Sequence, residues 1–137
     1  MPKFSHIDLL KKLITKTGII IQAKGISMYP TIKPGDRLFV SPFKKIYPGD
    51  IILFSFKNNL IAHRAILAKD SWVLTRADYG GFITIDKKNI LGKIIVIKRG
   101  NKFVKLNPWI KIYKTLAGLV RGFDKLNHKV INNKEVK

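Results

Sequence analysis

Ile51-Ile52-Leu53-Phe54-Ser55-Phe56, then Lys57-Asn58-Asn59, then Leu60-Ile61-Ala62-His63-Arg64-Ala65-Ile66-Leu67, is the stretch that decides the fold. Two apolar runs of strand length flank a short polar break. Asn58-Asn59 reads as a tight hairpin turn, which sets Ile51–Phe56 antiparallel to residues 60–67. Outward from this hairpin the texture repeats: β-type runs at residues 19–24, 37–40, 72–75 and 93–98 are separated by turn residues. Pro34-Gly35-Asp36 and Pro48-Gly49-Asp50 each place a φ-restricted residue beside a permissive one just ahead of an apolar run. The reading is a mainly β core of at least six short strands.

Helical periodicity is confined to the two ends. Residues 5–16 carry Ile7, Leu10 and Ile14 on one face, with Ser5 as N-cap, Asp8 three residues on and Gly18 as the stop. From Pro108 onward Trp109, Ile112, Leu116, Leu119 and Phe123 recur at three- and four-residue spacing, with Lys111, Lys114 and Arg121 between them. This predicts a basic amphipathic C-terminal helix, fraying over the last seven residues. The expected organisation is a β domain with an N-terminal helix over residues 1–107 and the helix and tail over 108–137.

Bulk composition narrows the function classes. A chain of 137 residues, 46% hydrophobic, fits one domain with a real core. Twenty-seven Lys and Arg against 8 Asp and Glu give a formal charge of +19, a field that favours anionic lipid, nucleic acid or acidic peptide. The absence of cysteine excludes disulfides, thiolate metal sites and a cysteine nucleophile. No window resembles a membrane span or a secretion signal, so a cytoplasmic or peripherally membrane-bound protein is expected.

Three residues stand out chemically. Ser27, in Gly25-Ile26-Ser27-Met28-Tyr29-Pro30-Thr31-Ile32, sits in a turn that follows a strand. Such a turn exposes a hydroxyl while aiming its own N–H groups at the same point, although a Ser between Gly and Pro is first of all a turn residue. His63 is the only histidine within the β region, and strand alternation sends it and Arg64 to opposite faces. It reads as a satisfied structural residue or as a base kept neutral by burial. Asp78 lies in the loop after residues 72–75, where a carboxylate caps a loop or orients a histidine, with Asp86 as a rival.

These segments, with Gly35-Asp36, Gly49-Asp50-Ile51-Ile52-Leu53-Phe54, Thr75-Arg76-Ala77-Asp78 and Asn89-Ile90-Leu91-Gly92-Lys93-Ile94, resemble in order the sequence blocks of type I signal peptidases and their relatives. His63-Arg64 resembles the Ser–His branch, because the Ser–Lys branch holds Lys-Arg there. The resemblance implies a signal-peptidase/LexA-like β-rich fold with Ser27 as nucleophile, His63 as general base and Asp78 as its supporting acid. It also implies an oxyanion donor at the Ser27 N–H, and substrate contacts at Gly25, Met28 and Tyr29. Some relatives carry a Ser at the Gly25 position, whose hydroxyl adds a second donor; here that hydroxyl is missing. Ala77-Asp78-Tyr79-Gly80 replaces the family's Gly-Asp-Asn-Asn.

The function so implied is that of a serine endopeptidase, without metal or cofactor, that removes a signal or leader segment from a precursor peptide or protein. Separately from the resemblance, the apolar stripe and Lys-rich flank of the C-terminal helix read either as packing on the β core or as peripheral contact with an anionic membrane surface; nucleic acid is not an expected partner. The competing reading is a catalytically inactive peptidase-like module that binds peptide, a membrane surface or nucleic acid. A self-cleaving regulator fits less well, since that class uses Lys as base and carries a DNA-binding domain.

Overall fold

The computed structural model describes residues 6–104 and residue 106. The predicted C-terminal helix and the Ser5 cap therefore lie outside the described residues. Helix α1 (His6–Thr17) is followed by strands β1 (Ile19–Gln22), β2 (Arg37–Ser41), β3 (Ile51–Phe56), β4 (Asn59–Ala68), β5 (Trp72–Arg76), β6 (Phe82–Asp86), β7 (Ile90–Arg99) and β8 (Lys102–Val104). One antiparallel sheet runs in the order β1-β2-β7-β3-β4-β5-β6, with β8 paired to β7. The fold is mainly β, as the sequence predicts. All six expected strands form, β6 and β8 are additional, and β7 begins at Ile90 rather than 93.

The central hairpin forms with a one-residue correction. Phe56 pairs with Asn59, so the two-residue turn is Lys57-Asn58 rather than Asn58-Asn59. Both turn residues have positive φ, 50° and 65°, the geometry whose twist matches that of the strands it joins. The two Pro-Gly-Asp segments also form matching turns. Gly35 and Gly49 have φ of 93° and 95°, and the following Asp accepts from the backbone N–H three residues back, Asp36 from Lys33 and Asp50 from Tyr47, each at 2.8 Å.

β3 is buried on both faces, and this sets the layering. Ile51 and Leu53 join Leu38, Val40, Ile94 and Ile97 in one core, closed by Ile14 of α1. Ile52 and Phe54 join Ala65, Val73, Ile85 and Ile90 in a second. The β1-β2 end of the sheet thus packs on one core and the β5-β6 end on the other. Among the described residues no helix is long and apolar enough to cross a membrane.

Gly92 is fixed by the closeness of these layers. A Cβ there would lie 2.5 Å from the Ser41 carbonyl oxygen, 2.7 Å from Val40 Cγ1 and 3.1 Å from Ile14 Cγ2. The nearest atom belongs to a paired backbone and cannot yield cheaply. Gly92→Ala is expected to lower unfolding free energy by about 1–3 kcal/mol, read as a fall in the urea midpoint at unchanged m-value.

Candidate functional site

The Ser27 turn is anchored by the apolar residues around it. Met28 and Ile32, both 3% exposed, plug the first core, while Ser27 itself stays partly exposed. The Ile32 N–H donates to the Met28 carbonyl at 2.9 Å and the Tyr29 N–H to the Ile26 carbonyl at 3.0 Å, which winds the chain tightly after the serine. From the other side the Tyr79 N–H donates to the Ser27 carbonyl at 2.8 Å, and the Asp78 N–H meets Met28 Sδ at 3.4 Å. The loop after β5 thereby clamps the turn.

Ser27 lines a groove of ≈ 1040 Å³ whose walls are residues 21–28 on one side and 56–62 on the other, with Tyr79 at its margin. Both walls present strand edges. Among the described residues β1 ends the sheet, with no strand on its outer edge. β4 pairs with β5 only from Arg64 onward, so residues 59–63 have no strand partner on that side among the described residues. An extended peptide fits such a space by adding main-chain hydrogen bonds.

His63 follows directly on the β4 residues that line the groove. It pairs with Ile52, and its ring meets Phe54 edge-on with centroids 5.4 Å apart, so it leaves β4 on the face of the second core. Arg64 leaves on the other face, as alternation requires. The imidazole is fully buried, at 0% exposure. Nδ1 lies 3.2 Å from Thr75 Oγ1, and Nε2 is enclosed without a hydrogen bond. Burial pushes the imidazole pKa down to about 4, against the opposing pull of the Asp78 charge. Ser27 thus lines the groove, whereas His63 lies outside that lining on the second-core face of β4, and no hydrogen bond joins them.

Asp78 is committed to a different cation. Its carboxylate takes both Arg64 Nε, at 2.9 Å, and Arg64 Nη2, at 2.8 Å, and accepts the Thr31 hydroxyl at 2.7 Å. Arg64, 4% exposed, also donates to the Gly49 carbonyl at 3.0 Å. Asp78 acts on His63 through space, and the group in hydrogen-bonding contact with the ring is Thr75. Asp86 caps the 3-10 turn Lys87–Asn89 and pairs with Trp72, at the end of β5 remote from Thr75.

Of the predicted substrate contacts, Gly25 and Met28 line the groove, Met28 as buried floor. Tyr29, by contrast, is not in the lining and lies exposed beneath Lys33 Nζ, while Tyr79, which the sequence did not single out as a contact, lines the groove. Arg64, Thr31 and Thr75 escaped the sequence reading as site residues. Strand alternation aligns Thr75 with Val73, so its inward direction was legible; its contact with His63 needs the β4–β5 register. Among the described residues no cluster of His, Asp and Glu suited to a metal ion occurs.

Residues 4–95 match the family model described as Peptidase S24-like. No curated protein matches the chain.

The buried imidazole makes stability depend on pH. Its folded pKa of about 4 lies below the ordinary 6.5, so between those values the unfolded chain binds a proton that the folded chain does not. Stability is full above pH 6.5 and falls as pH drops toward 4, by about 3 kcal/mol in all. Asp36, whose carboxyl is held low by the Arg99 guanidinium, contributes its loss only below its ordinary 3.8. Urea unfolding from pH 4 to 7 is expected to show this slope, and His63→Leu to flatten it.

Proposed function

From its place in the peptidase S24-like family, to which this chain belongs, we propose that the protein is a serine endopeptidase of the Ser–His type. It cleaves a leader or signal segment from a precursor peptide. Ser27 Oγ attacks the scissile carbonyl carbon and its proton passes to His63 Nε2. The tetrahedral intermediate collapses with cleavage of the C–N bond as the imidazolium protonates the leaving amine. Water, deprotonated by the same nitrogen, then attacks the Ser27 ester and releases the carboxylic acid.

The observation that carries this reading is the groove: two unpaired strand edges facing one space, with Ser27 in its lining. A peptide held between them has its carbonyls in a fixed register past the hydroxyl, and positioning of this kind supplies much of the rate. The unpartnered Nε2 supports the base role, because a base must keep one lone pair free. His63 lies outside the groove lining with Nε2 enclosed, so the Ser27 to Nε2 hydrogen bond requires the two side chains to rearrange when substrate binds.

One observation favours a second reading, a peptidase-like module that binds peptide without cutting it. Nε2 is enclosed and carries no hydrogen bond to Ser27, and a base near pKa 4 is a weak proton acceptor. A peptide library incubated with the protein and read by mass spectrometry separates the two. New termini from the wild type and none from Ser27→Ala are expected. Equal cleavage by both proteins overturns the mechanism, and peptide retention without any cleavage establishes the binding module.

Gly25 offers a gain-of-function test. A Cβ at this position meets nothing within 4 Å, and the residue is exposed at the groove beside the serine turn. Gly25→Ser supplies the hydroxyl that resembling peptidases carry here. Loss of one oxyanion donor costs about 10²–10³ in kcat, so the substitution is expected to raise kcat by about tenfold or more at little change in KM.

A further inference from the structure

His63 Nδ1 has one hydrogen-bonding partner, Thr75 Oγ1, and that hydroxyl has a second neighbour of its own. Thr75 Oγ1 lies 3.0 Å from the Ile83 carbonyl oxygen, to which it can only donate, and 3.2 Å from Nδ1. A hydroxyl has a single hydrogen. With that hydrogen on the Ile83 carbonyl, Oγ1 faces Nδ1 as an acceptor, and Nδ1 must carry the ring proton. Nε2 is then a bare lone pair. The reverse assignment would leave an enclosed N–H at Nε2 with no acceptor, and orphaned buried N–H groups are rarer and costlier than unfilled acceptors.

Resting on the Ser–His reading above, we infer that Thr75, and neither Asp78 nor Asp86, is the positioning residue that fixes the His63 tautomer for catalysis. The contact is built into the sheet. Thr75 stands opposite Ala65 in the β4–β5 register, two positions from His63, and diagonal neighbours of this kind lie on one face of adjacent strands. Thr75 is itself fully buried, and Ile83 reaches it from β6. The chain Ile83 C=O, Thr75 O–H, Nδ1–H thus runs across three strands and ends at the free Nε2.

The chemistry accounts for the absence of a carboxylate at Nδ1. In a serine peptidase the orienting acid both selects the tautomer and stabilises the imidazolium, and a partner that enforces the wrong tautomer costs about 10⁴ in kcat. A threonine whose own proton is engaged elsewhere performs the first task. For the second, the Asp78 charge, itself paired with Arg64, favours the imidazolium without touching it.

Thr75→Val deletes the hydroxyl in a side chain of the same shape, and Thr75→Ser retains it. Long-range proton–nitrogen correlation spectra of protein carrying ¹⁵N-histidine report the tautomer directly at pH 7, with His63→Leu identifying its signals among the three histidines. The expected wild-type pattern is Nδ1–H, kept in Thr75→Ser and replaced in part or whole by Nε2–H in folded Thr75→Val. Cleavage of a library-derived peptide is expected to fall about 10²-fold in kcat in Thr75→Val and to be rescued in Thr75→Ser. A wild-type Nε2–H pattern, or a tautomer unmoved in folded Thr75→Val, overturns the inference. The spectra decide this without substrate, so a wild type that holds the Nδ1–H form yet cuts nothing refutes the peptidase reading alone.

Discussion

The burial of β3 on both faces is the constraint from which the rest of the structure follows. Its side chains alternate between two cores, and the antiparallel pairing passes the same alternation to β4. Neither His63 nor Arg64 can then reach bulk water, although they leave the strand in opposite directions. Burial penalises a charged group far more than a neutral polar one, so the two residues are resolved differently. Arg64, always charged, requires a carboxylate and hydrogen bonds, and finds Asp78 and the Gly49 carbonyl. His63 sheds its proton and asks for a single neutral contact.

Three of the eight acidic residues of this basic chain pin loops to the sheet. Asp36 binds Arg99, Asp50 binds Lys93 and Asp78 binds Arg64, each within 2.8 Å and each carboxylate largely buried. Asp36 and Asp50 also accept from the turns that precede them, and Asp78 accepts from Thr31 beside the Ser27 turn. Breaking such a pair leaves a buried charge uncompensated, which costs more than the pair contributes when whole. The excess positive charge lies outside these three contacts, available for general attraction of anions and uninformative about the fold.

Much of this was legible in the sequence, for reasons that can be traced. The β3–β4 hairpin was readable because both runs are long, apolar and separated by Asn, and the Pro-Gly-Asp turns because their φ demands are written in residue type. β6 was missed because Phe82-Ile83-Thr84-Ile85-Asp86 is short and lies between Gly80-Gly81 and Lys87-Lys88, so its edges dominate its period. β8, three residues after a glycine turn, carries too little pattern to read. The Ser27 turn could be found from Gly and Pro and from resemblance. The partners of Asp78 and Thr75 could not, since they depend on the register that brings Asp78 to Arg64 on one face of β4 and Thr75 to His63 on the other.

The site joins two requirements that usually conflict. Under the proposed mechanism a nucleophile must be open to substrate, and Ser27 is partly exposed on a turn whose neighbours Met28 and Ile32 are anchored in the core. The proposed base must remain unprotonated without losing its orientation, and burial against Phe54 with one hydrogen bond to Thr75 would meet that need. The groove stands where β5 pairing stops, just before Arg64. Continued pairing to residue 59 would cover the β4 edge, and a peptide could reach neither that edge nor the serine. Among the described residues no strand fills this place, and under the proposed function a substrate would supply it.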